Sequence, residues 1–308
     1  MRDKTQMTAD IWLLFVAFIW GTTFVIVQNA LSFLPPFTFN ALRFLLAAII
    51  MGIPVIFLFK NKPIKNKRGI LLSGFIMGLF LYIGYGFQTI GLVYTTSSKA
   101  AFITGLSVVL VPIASLILFK QRPRLIVWIA CLFSVTGLYM MTMTGGGSFN
   151  FGDSLVLICA FGFAFHIIVT GRFSAKLDAF LLTIVQIMTV GILSLLTALL
   201  LEDWQKAFQP AFIFQFDVIL ALLVTALLAT SLAFFIQTNV QKYTSATRVA
   251  IIFAFEPIFA ALTSYIVLKE SLSAAAAIGC LFIFLSMILS ELPTPKKKGE
   301  MSAPSSHA

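Results

Sequence analysis

The sequence predicts an all-α integral membrane protein, with ten transmembrane helices arranged as two inverted five-helix repeats. The first observation is composition, since 60% of the 308 residues are hydrophobic, 10% are charged and the mean hydropathy is +1.02. A soluble domain cannot bury that much apolar surface. The second observation is a series of ten long apolar runs, and the third is an internal repeat.

The ten apolar runs are each about 18 to 24 residues long, which is enough to cross a hydrocarbon core as a helix. Their apolar residues are continuous rather than alternating, which excludes the strands of a membrane barrel. The first run lacks a small-residue cleavage site and is too long for a signal peptide, so we expect it to be retained. The predicted spans are 11–30, 36–59, 69–92, 97–119, 124–143, 153–171, 178–201, 217–239, 245–268 and 273–291.

The two halves of the chain are two copies of one segment. Residues 88–143 align with residues 237–292 at a constant offset of 149, and the earlier parts align at an offset of 143. Five spans in each copy would turn the second copy upside down in the membrane, which is typical of alternating-access transporters. Matched pairs include Asp10 and Asp153, Arg43 and Gln186, Gln88 and Gln237, Lys99 and Arg248, and Cys131 and Cys280.

This repeat divides the chain into five parts. A Gly-Gly-Gly-Ser run between the copies is typical of a flexible connector. The polar tail carries three consecutive lysines, and we expect it to be disordered at the inner membrane surface. The predicted parts are a cytoplasmic N-terminal segment at 1–10, the first repeat at 11–143, a linker at 144–152, the second repeat at 153–291, and the tail at 292–308.

The distribution of lysine and arginine predicts the orientation. With a cytoplasmic N-terminus, 17 of these residues fall on the inner side, and three fall on the outer side: Lys99, Lys206 and Lys269. Positive residues favour the cytoplasmic side. We therefore expect a multi-pass protein of the plasma membrane, in a bacterium the inner membrane, with both termini in the cytoplasm.

Composition and motifs exclude several functional classes. The net charge of +10 comes mainly from the short connections, where lipid and topology account for it, and no basic face suits nucleic acid. Cys131, Cys159 and Cys280 lie inside apolar spans and indicate neither a disulfide nor a metal site. No Gly-xxxx-Gly-Lys loop is present, which argues against a pump driven by its own ATP hydrolysis. We expect no cofactor.

Glu256 is the most informative polar residue, because it lies near the middle of a predicted span and is followed by Pro257. A carboxylate at that depth costs roughly 3 kcal/mol on insertion scales, so it should face a partner or a wet cavity. Pro257 removes a backbone donor and should leave a kink with a free carbonyl nearby. The alternative is a structural glutamate held by hydrogen bonds between helices.

Three further polar residues lie within predicted spans. Arg43 would suit a carboxylate-bearing substrate or would pair with Glu256, and it could also snorkel to the outer headgroups. Its repeat mate Gln186 should line the same cavity from the opposite side. His166 could carry a coupled proton, or it could simply donate a hydrogen bond to a neighbouring helix.

Two matched pairs of residues bear on conformational change. Lys99 and Arg248 begin the fourth and ninth helices, where a role in gating or anion contact and simple snorkelling are both consistent with the sequence. Pro112 and Pro257 differ in register by four residues, about one helical turn. Kinks at these prolines could hinge the halves, although proline is often only a packing feature in membrane helices.

Several short motifs occur in a characteristic order along the two copies. They are Trp20-Gly21-Thr22-Thr23-Phe24, Arg43, Gln88 through Ala101, Gln186, Tyr243-Thr244-Ser245-Ala246, Glu256-Pro257 and Leu268-Lys269-Glu270. With these motifs the chain resembles the EamA family of the drug/metabolite transporter superfamily over essentially its whole length. That resemblance implies ten helices in two inverted repeats, a central cavity, and transport of small metabolites or amino acids, most often export. Two departures are Val111 before Pro112, where the second copy has Glu256, and Gln121, where that copy has Glu270.

We therefore expect a secondary active transporter of small metabolites, amino acids or related amphipathic compounds, that exports by alternating access and is not an enzyme. A passive facilitator or channel is the alternative, although neither charge rings nor a carbonyl filter is visible. An intramembrane enzyme would need a nucleophile motif or metal cluster that the sequence lacks. Expected partners are a small-molecule substrate, the lipid bilayer and protons. The expected cavity residues are Glu256, Arg43, Trp20, Gln88, Gln186 and Gln237, with Glu256 and His166 as candidates for proton coupling.

Overall fold

The computed structural model describes residues 4–58, 64–120, 123–142, 149–267 and 273–291, and the regular secondary structure in these ranges is helical. The predicted all-α class is therefore confirmed. Eight segments of the described chain are long and apolar enough to cross a membrane, and two shorter apolar helices accompany them. Outside the described residues lie the basic residues at 60–63, Gln121, Arg122, the Gly-rich run at 145–148, Leu268-Lys269-Glu270 and the tail at 292–308.

The helices follow the predicted spans closely, but several spans are divided. In the first half they are α1 (Lys4–Ala30), α2 (Pro36–Leu58), α3 (Lys67–Tyr94), α4 (Ser97–Gly105), α5 (Ser107–Phe119) and α6 (Leu125–Thr142). In the second half they are α7 (Phe151–Ser174), α8 (Ala179–Leu201), α9 (Trp204–Ala207), α10 (Pro210–Ile213), α11 (Phe216–Val224), a π-helical segment (Thr225–Leu232), α12 (Ala233–Val240), a 3₁₀ turn (Gln241–Tyr243), α13 (Ala246–Phe253), α14 (Glu256–Val267) and α15 (Ala274–Glu291).

Matched hydroxyl residues start two equivalent helices in the two halves. Thr96 caps α4 by accepting from the backbone N–H of Lys99, and Ser245 caps α13 by accepting from that of Arg248, both at 3.3 Å. The two caps share nearly the same extended backbone, with φ −82° and ψ 153° in one and φ −81° and ψ 150° in the other. Such caps satisfy backbone donors that a helix start leaves unpaired.

Two predicted spans are interrupted at matching points. Leu106 separates α4 from α5, and Ala254 and Phe255 separate α13 from α14. Leu106 and Phe255 occupy equivalent positions of the repeat, at its offset of 149 residues. Non-helical backbone at membrane depth is tolerated where it lines a cavity, so these breaks indicate where a cavity should lie.

The prolines mark these breaks in only one of the two spans. Pro257 is the second residue of α14, where its missing N–H costs no helical hydrogen bond. Pro112 lies near the middle of α5, and the helix continues through it. Its missing N–H leaves the Val108 carbonyl without the usual donor, and the Cys131 thiol donates to that oxygen at 3.3 Å. The sequence pointed to Pro112, but the interruption of this span lies at Leu106.

Helices from the two halves pack directly on one another. α3 lies against α7 and α8, α2 against α8, α6 against α15, and α1 against α14. Glycines permit the closest approaches, because a Cβ on Gly162 of α7 would lie 2.6 Å from the backbone nitrogen of Gly84. A Cβ on Gly21 of α1 would overlap the carbonyl oxygen of Glu256 in α14. Close backbone approach at small residues is a usual basis of helix association in membranes.

Candidate functional site

A cavity of about 60 Å³ lies between the two halves, beside both helix breaks. Its size leaves room for a few water-sized groups, at roughly 10–15 Å³ each. The walls combine two charged residues with aromatic rings and amides, a mixture typical of sites for small amphipathic molecules. The charged and polar lining residues are Thr23, Arg43, Gln88, Thr89, Thr104, Ser107, His166, Gln237 and Glu256, and the aromatic ones are Trp20, Phe24, Tyr85, Phe163, Phe234 and Phe253.

Glu256 faces this cavity from the first residue of α14, immediately after the break in its span. Within the part of the chain that the structure describes, its carboxylate makes neither a hydrogen bond nor an ion pair. The N-terminal end of a helix favours a negative charge, which offsets part of the cost of placing the acid there. Glu256 is therefore a carboxylate presented to the cavity and not one held by neighbouring helices.

Arg43 reaches the cavity from α2 and is 3% exposed. Its Nε and Nη2 atoms lie 3.3 and 3.2 Å from the hydroxyl oxygen of Thr230, and each can donate to it. The guanidinium carbon lies 4.8 Å from the ring centre of Phe44 and 4.6 Å from that of Tyr85. Cation–π contacts stabilise a desolvated arginine. No carboxylate among the described residues forms an ion pair with it.

The expected ion pair between Arg43 and Glu256 is not formed. Arg43 is held by aromatic rings of α2 and α3 and by Thr230, whereas Glu256 projects from α14, which packs on α1. The two side chains come from different helices. The cavity thus presents a guanidinium group and a carboxyl group that form no ion pair with each other.

Trp20 contributes an aromatic wall to the cavity. Its indole N–H donates to the carbonyl of Ala229 at 2.8 Å, which ties α1 to the π-helical segment. Its ring lies 5.2 Å from that of Phe234 and 5.0 Å from that of Phe253, measured between ring centres. The hydrogen bond fixes the polar end of the side chain, so its apolar surface can serve the cavity.

His166 lines the cavity, while Gln186 is fully buried behind it and is not part of the lining. The Gln186 amide nitrogen donates to the Thr238 hydroxyl at 3.0 Å, so its oxygen faces His166 Nε2 at 2.8 Å. The Thr170 hydroxyl lies 3.3 Å from the same ring nitrogen. The repeat mate of Arg43 therefore contacts a histidine and does not line the cavity, contrary to what the sequence had led us to expect.

The matched pair Gln88 and Gln237 brings amides to the cavity from α3 and α12. The Gln88 amide donates to the Thr104 hydroxyl, and the Gln237 amide donates to the Gln241 oxygen, both at 3.2 Å. The Gln237 side-chain oxygen is buried and has no hydrogen-bond partner among the described residues. An unsatisfied buried acceptor is costly, so this oxygen is a ready partner for a donor group entering the cavity.

Sequence reasoning missed the residues that support Arg43. Tyr85 lies between Gly84 and Gly86, and no feature of the sequence marked it as a partner of Arg43. Thr230 lies in the π-helical segment, and no pattern in the sequence predicted this change from α-helix to π-helix. π-helical turns are frequent at functional sites. Both partners come from elements far from Arg43 in sequence, so only the packed structure shows them.

Comparison with known proteins places these features in a family. The model of the EamA-like transporter family matches the chain twice, over residues 7–143 and 150–292. A protein of Archaeoglobus fulgidus described as an uncharacterized transporter is 34% identical over 287 residues, which cover 93% of this chain and 87% of that protein. The uncharacterized transporter YetK of Bacillus subtilis is 25% identical over 305 residues, covering 94% and 90% of the two chains.

A more distant relative and a solved structure agree with these matches. The uncharacterized inner membrane transporter YedA of Escherichia coli is 26% identical over 155 residues, half of each chain. One crystal structure superposes with a TM-score of 0.75 over 92% of this chain and 96% of its own, at 20% identity, and it shows the shared fold alone. With its apolar helices and two matches to one family model, the chain belongs to the EamA-like transporter family of multi-pass membrane proteins.

Proposed function

We propose that this transporter is a secondary active carrier that exports small zwitterionic metabolites, such as amino acids with an apolar side chain, across the plasma membrane. The observation that carries the proposal is the pair of ionisable side chains in the cavity. Arg43 and Glu256 line one cavity that also has aromatic walls, and they form no ion pair with each other. A zwitterion with an apolar body complements all three features.

The donors and acceptors support a defined orientation of such a substrate. A guanidinium carries five N–H groups, and Thr230 occupies only those of Nε and Nη2, so others remain for a substrate carboxylate. Glu256 and the unpartnered oxygen of Gln237 can accept from a substrate ammonium group. Trp20 and Phe253 would then contact the apolar side chain.

Alternating access is supported by the arrangement of the two halves. We propose that the ten spans form two inverted five-helix repeats, with both termini in the cytoplasm. The contacts pair helices across the halves, as in α2 with α8 and α6 with α15. The breaks at Leu106 and Phe255 occupy equivalent positions in the two halves of the chain, and both lie beside the cavity. Rocking of one repeat against the other about a central site is the usual mechanism of carriers built in this way.

Proton coupling is a further part of the proposal. Glu256 and His166 both line the cavity, and both belong to residue types that exchange protons in carriers. Protonation of Glu256 would remove the negative charge that holds a substrate ammonium group. A proton and a substrate would then compete for one carboxylate, which couples export of one to entry of the other.

The test is flux of an amino-acid and metabolite pool in proteoliposomes, with and without a pH gradient. We expect saturable, gradient-sensitive exchange by the wild type and loss of both properties in Glu256→Gln. The matched control is Asp217→Asn, an acid in the first turn of α11 outside the cavity. Saturable flux that ignores the gradient and the mutation would refute proton coupling through Glu256. Non-saturable flux in the wild type would refute the carrier and favour a passive facilitator.

A further inference from the structure

Two ion pairs join the two halves, and the repeat makes them equivalent to each other. Arg248 at the start of α13 contacts Asp10 of α1, with Nη2 2.7 Å from Oδ2 and Nε 3.1 Å from Oδ1. Lys99 at the start of α4 contacts Asp153 of α7, with Nζ 3.6 Å from Oδ2. Asp10 matches Asp153, and Lys99 matches Arg248, at the offsets of the repeat. One contact has therefore been kept in both copies.

The two ion pairs lie at opposite ends of the helix bundle. Asp10 is near the beginning of α1, and Gln28 is near its end, about 27 Å away at 1.5 Å of rise per residue. The side chain of Gln28 accepts a hydrogen bond from the Ser97 hydroxyl, which is in the first turn of α4 beside Lys99. The cavity lies between the two ends, because Trp20 and Phe24 of α1 line it.

The cavity lining lies closer to the Lys99 pair than to the Asp10 pair. Between the Asp10 pair and the cavity lies a packed layer in which Leu13, Val16 and Ala17 of α1 and Ile251 of α13 are each at most 1% exposed. At the other end the cavity lining reaches Ala101, two residues from Lys99. The bidentate arginine contact thus lies at the end that is farther from the cavity lining.

Both acids are nearly inaccessible, with side-chain exposures of 5% for Asp10 and 0% for Asp153. To open a water path at either end, the ion pair there must be broken and its charges hydrated. Each pair therefore favours closure of its own end alone. The carboxylate of Asp153 also accepts from the Thr95 hydroxyl and from the backbone of Asn150, so it stays oriented when Lys99 moves away.

We propose that Asp10–Arg248 and Lys99–Asp153 are two latches that open in turn and control access to the cavity from its two ends. This inference rests on the proposed alternating access, and it assigns a role to four residues outside the substrate site. A symmetric protein needs two equivalent devices acting at opposite ends, and these contacts have that symmetry. The pair with the shorter contact lies at the end that is farther from the cavity lining.

The latches are tested by thiol labelling, which requires no substrate and so can fail independently of the proposed function. The reporter is Ser107→Cys, a cavity residue at the break between α4 and α5, in a full-length protein carrying Cys131→Ser, Cys159→Ala and Cys280→Ala. A membrane-impermeant thiol reagent is applied to two vesicle preparations, one that exposes the Asp10 end of the protein to the outside and one that exposes the Lys99 end. The measured quantity is the rate of labelling from the Asp10 end divided by the rate of labelling from the Lys99 end.

We expect Asp10→Asn to raise this ratio about tenfold and Lys99→Gln to lower it by a similar factor, within the usual range of coupling between distant sites. Arg248→Lys, which keeps the charge, and the swap of Asp10→Arg with Arg248→Asp should stay near the wild-type ratio. Lys242→Gln, an exposed charge at the Arg248 end, is the matched control. An unchanged ratio in monodisperse Asp10→Asn and Lys99→Gln proteins, or equal shifts in Lys242→Gln, would overturn the proposal.

Discussion

Replacing Arg43 gives the most direct test of the substrate site. In Arg43→Gln the cation is lost, but a shorter polar side chain remains. Thr230 accepts from Nε and Nη2 of Arg43, and we expect other guanidinium N–H groups to be available to a substrate carboxylate. A hydrogen bond to a charged partner contributes about 1.5–3 kcal/mol, and each 1.4 kcal/mol is tenfold in affinity. The half-saturating substrate concentration should therefore rise by about 10- to 150-fold.

Two companion variants separate binding of the carboxylate from support of the arginine. Arg43→Lys keeps the charge but cannot form the forked contact, so we expect an intermediate rise. Thr230→Val removes the hydroxyl that orients Nε and Nη2, a neutral hydrogen-bond partner worth about 1 kcal/mol, so a rise of about fivefold is expected.

The assay is concentration-dependent exchange in proteoliposomes, using the pool member that the wild type transports fastest. Arg68→Gln, an exposed arginine at the start of α3, serves as the matched control for loss of one positive charge. Size-exclusion profiles in detergent check that each variant is folded. A reduced maximal rate with an unchanged half-saturating concentration in Arg43→Gln would refute substrate contact and leave Arg43 with a structural role.

Three further predictions concern packing around the cavity. Cys131→Ala removes the donor to the Val108 carbonyl and should lower the thermal midpoint in detergent, by the equivalent of about 1–3 kcal/mol, whereas Cys131→Ser should retain most of the stability. Gly21→Ala should disrupt the contact between α1 and α14 and abolish flux, while Gly52→Ala, which would meet no atom within 4 Å, should be neutral or slightly stabilising in the same thermal assay. Gln186→Leu removes the hydrogen-bond partner of His166, so it should weaken the pH dependence of transport without changing the half-saturating concentration. An unaltered pH profile would contradict this.

Helical class and most helix positions could be predicted from the sequence, because the bilayer imposes a length and a composition on every span. The starts of α4 and α13 agree with the predicted spans because Thr96 and Ser245 cap them locally. The break at Leu106 was not predicted, since no proline or other local signal marks it. Pro112 suggested a break elsewhere, but Cys131 of a neighbouring helix supplies the hydrogen bond that the proline cannot.

Side-chain partners across the two halves were harder to predict. The alignment of the copies paired Asp10 with Asp153 and Lys99 with Arg248 as equivalent residues. Equivalence does not say which residues are in contact. In the structure each basic residue contacts the aspartate of the other copy. The position of Gln186 behind the histidine was likewise invisible, because it depends on how α8 rotates against α7 and α12.

The π-helical segment has a consequence for how this chain can vary. The segment turns more widely than an α-helix from Thr225 to Leu232, and within it the Ser231 hydroxyl donates to the Ala226 carbonyl at 2.8 Å. Each π turn takes up one residue more than an α turn, so it shifts the angular phase of everything that follows by about 100°. Thr230 reaches Arg43 from within this segment, and Phe234 and Gln237 reach the cavity just beyond it. Deleting a single residue here would rotate both away from the cavity while leaving the composition of the span almost unchanged.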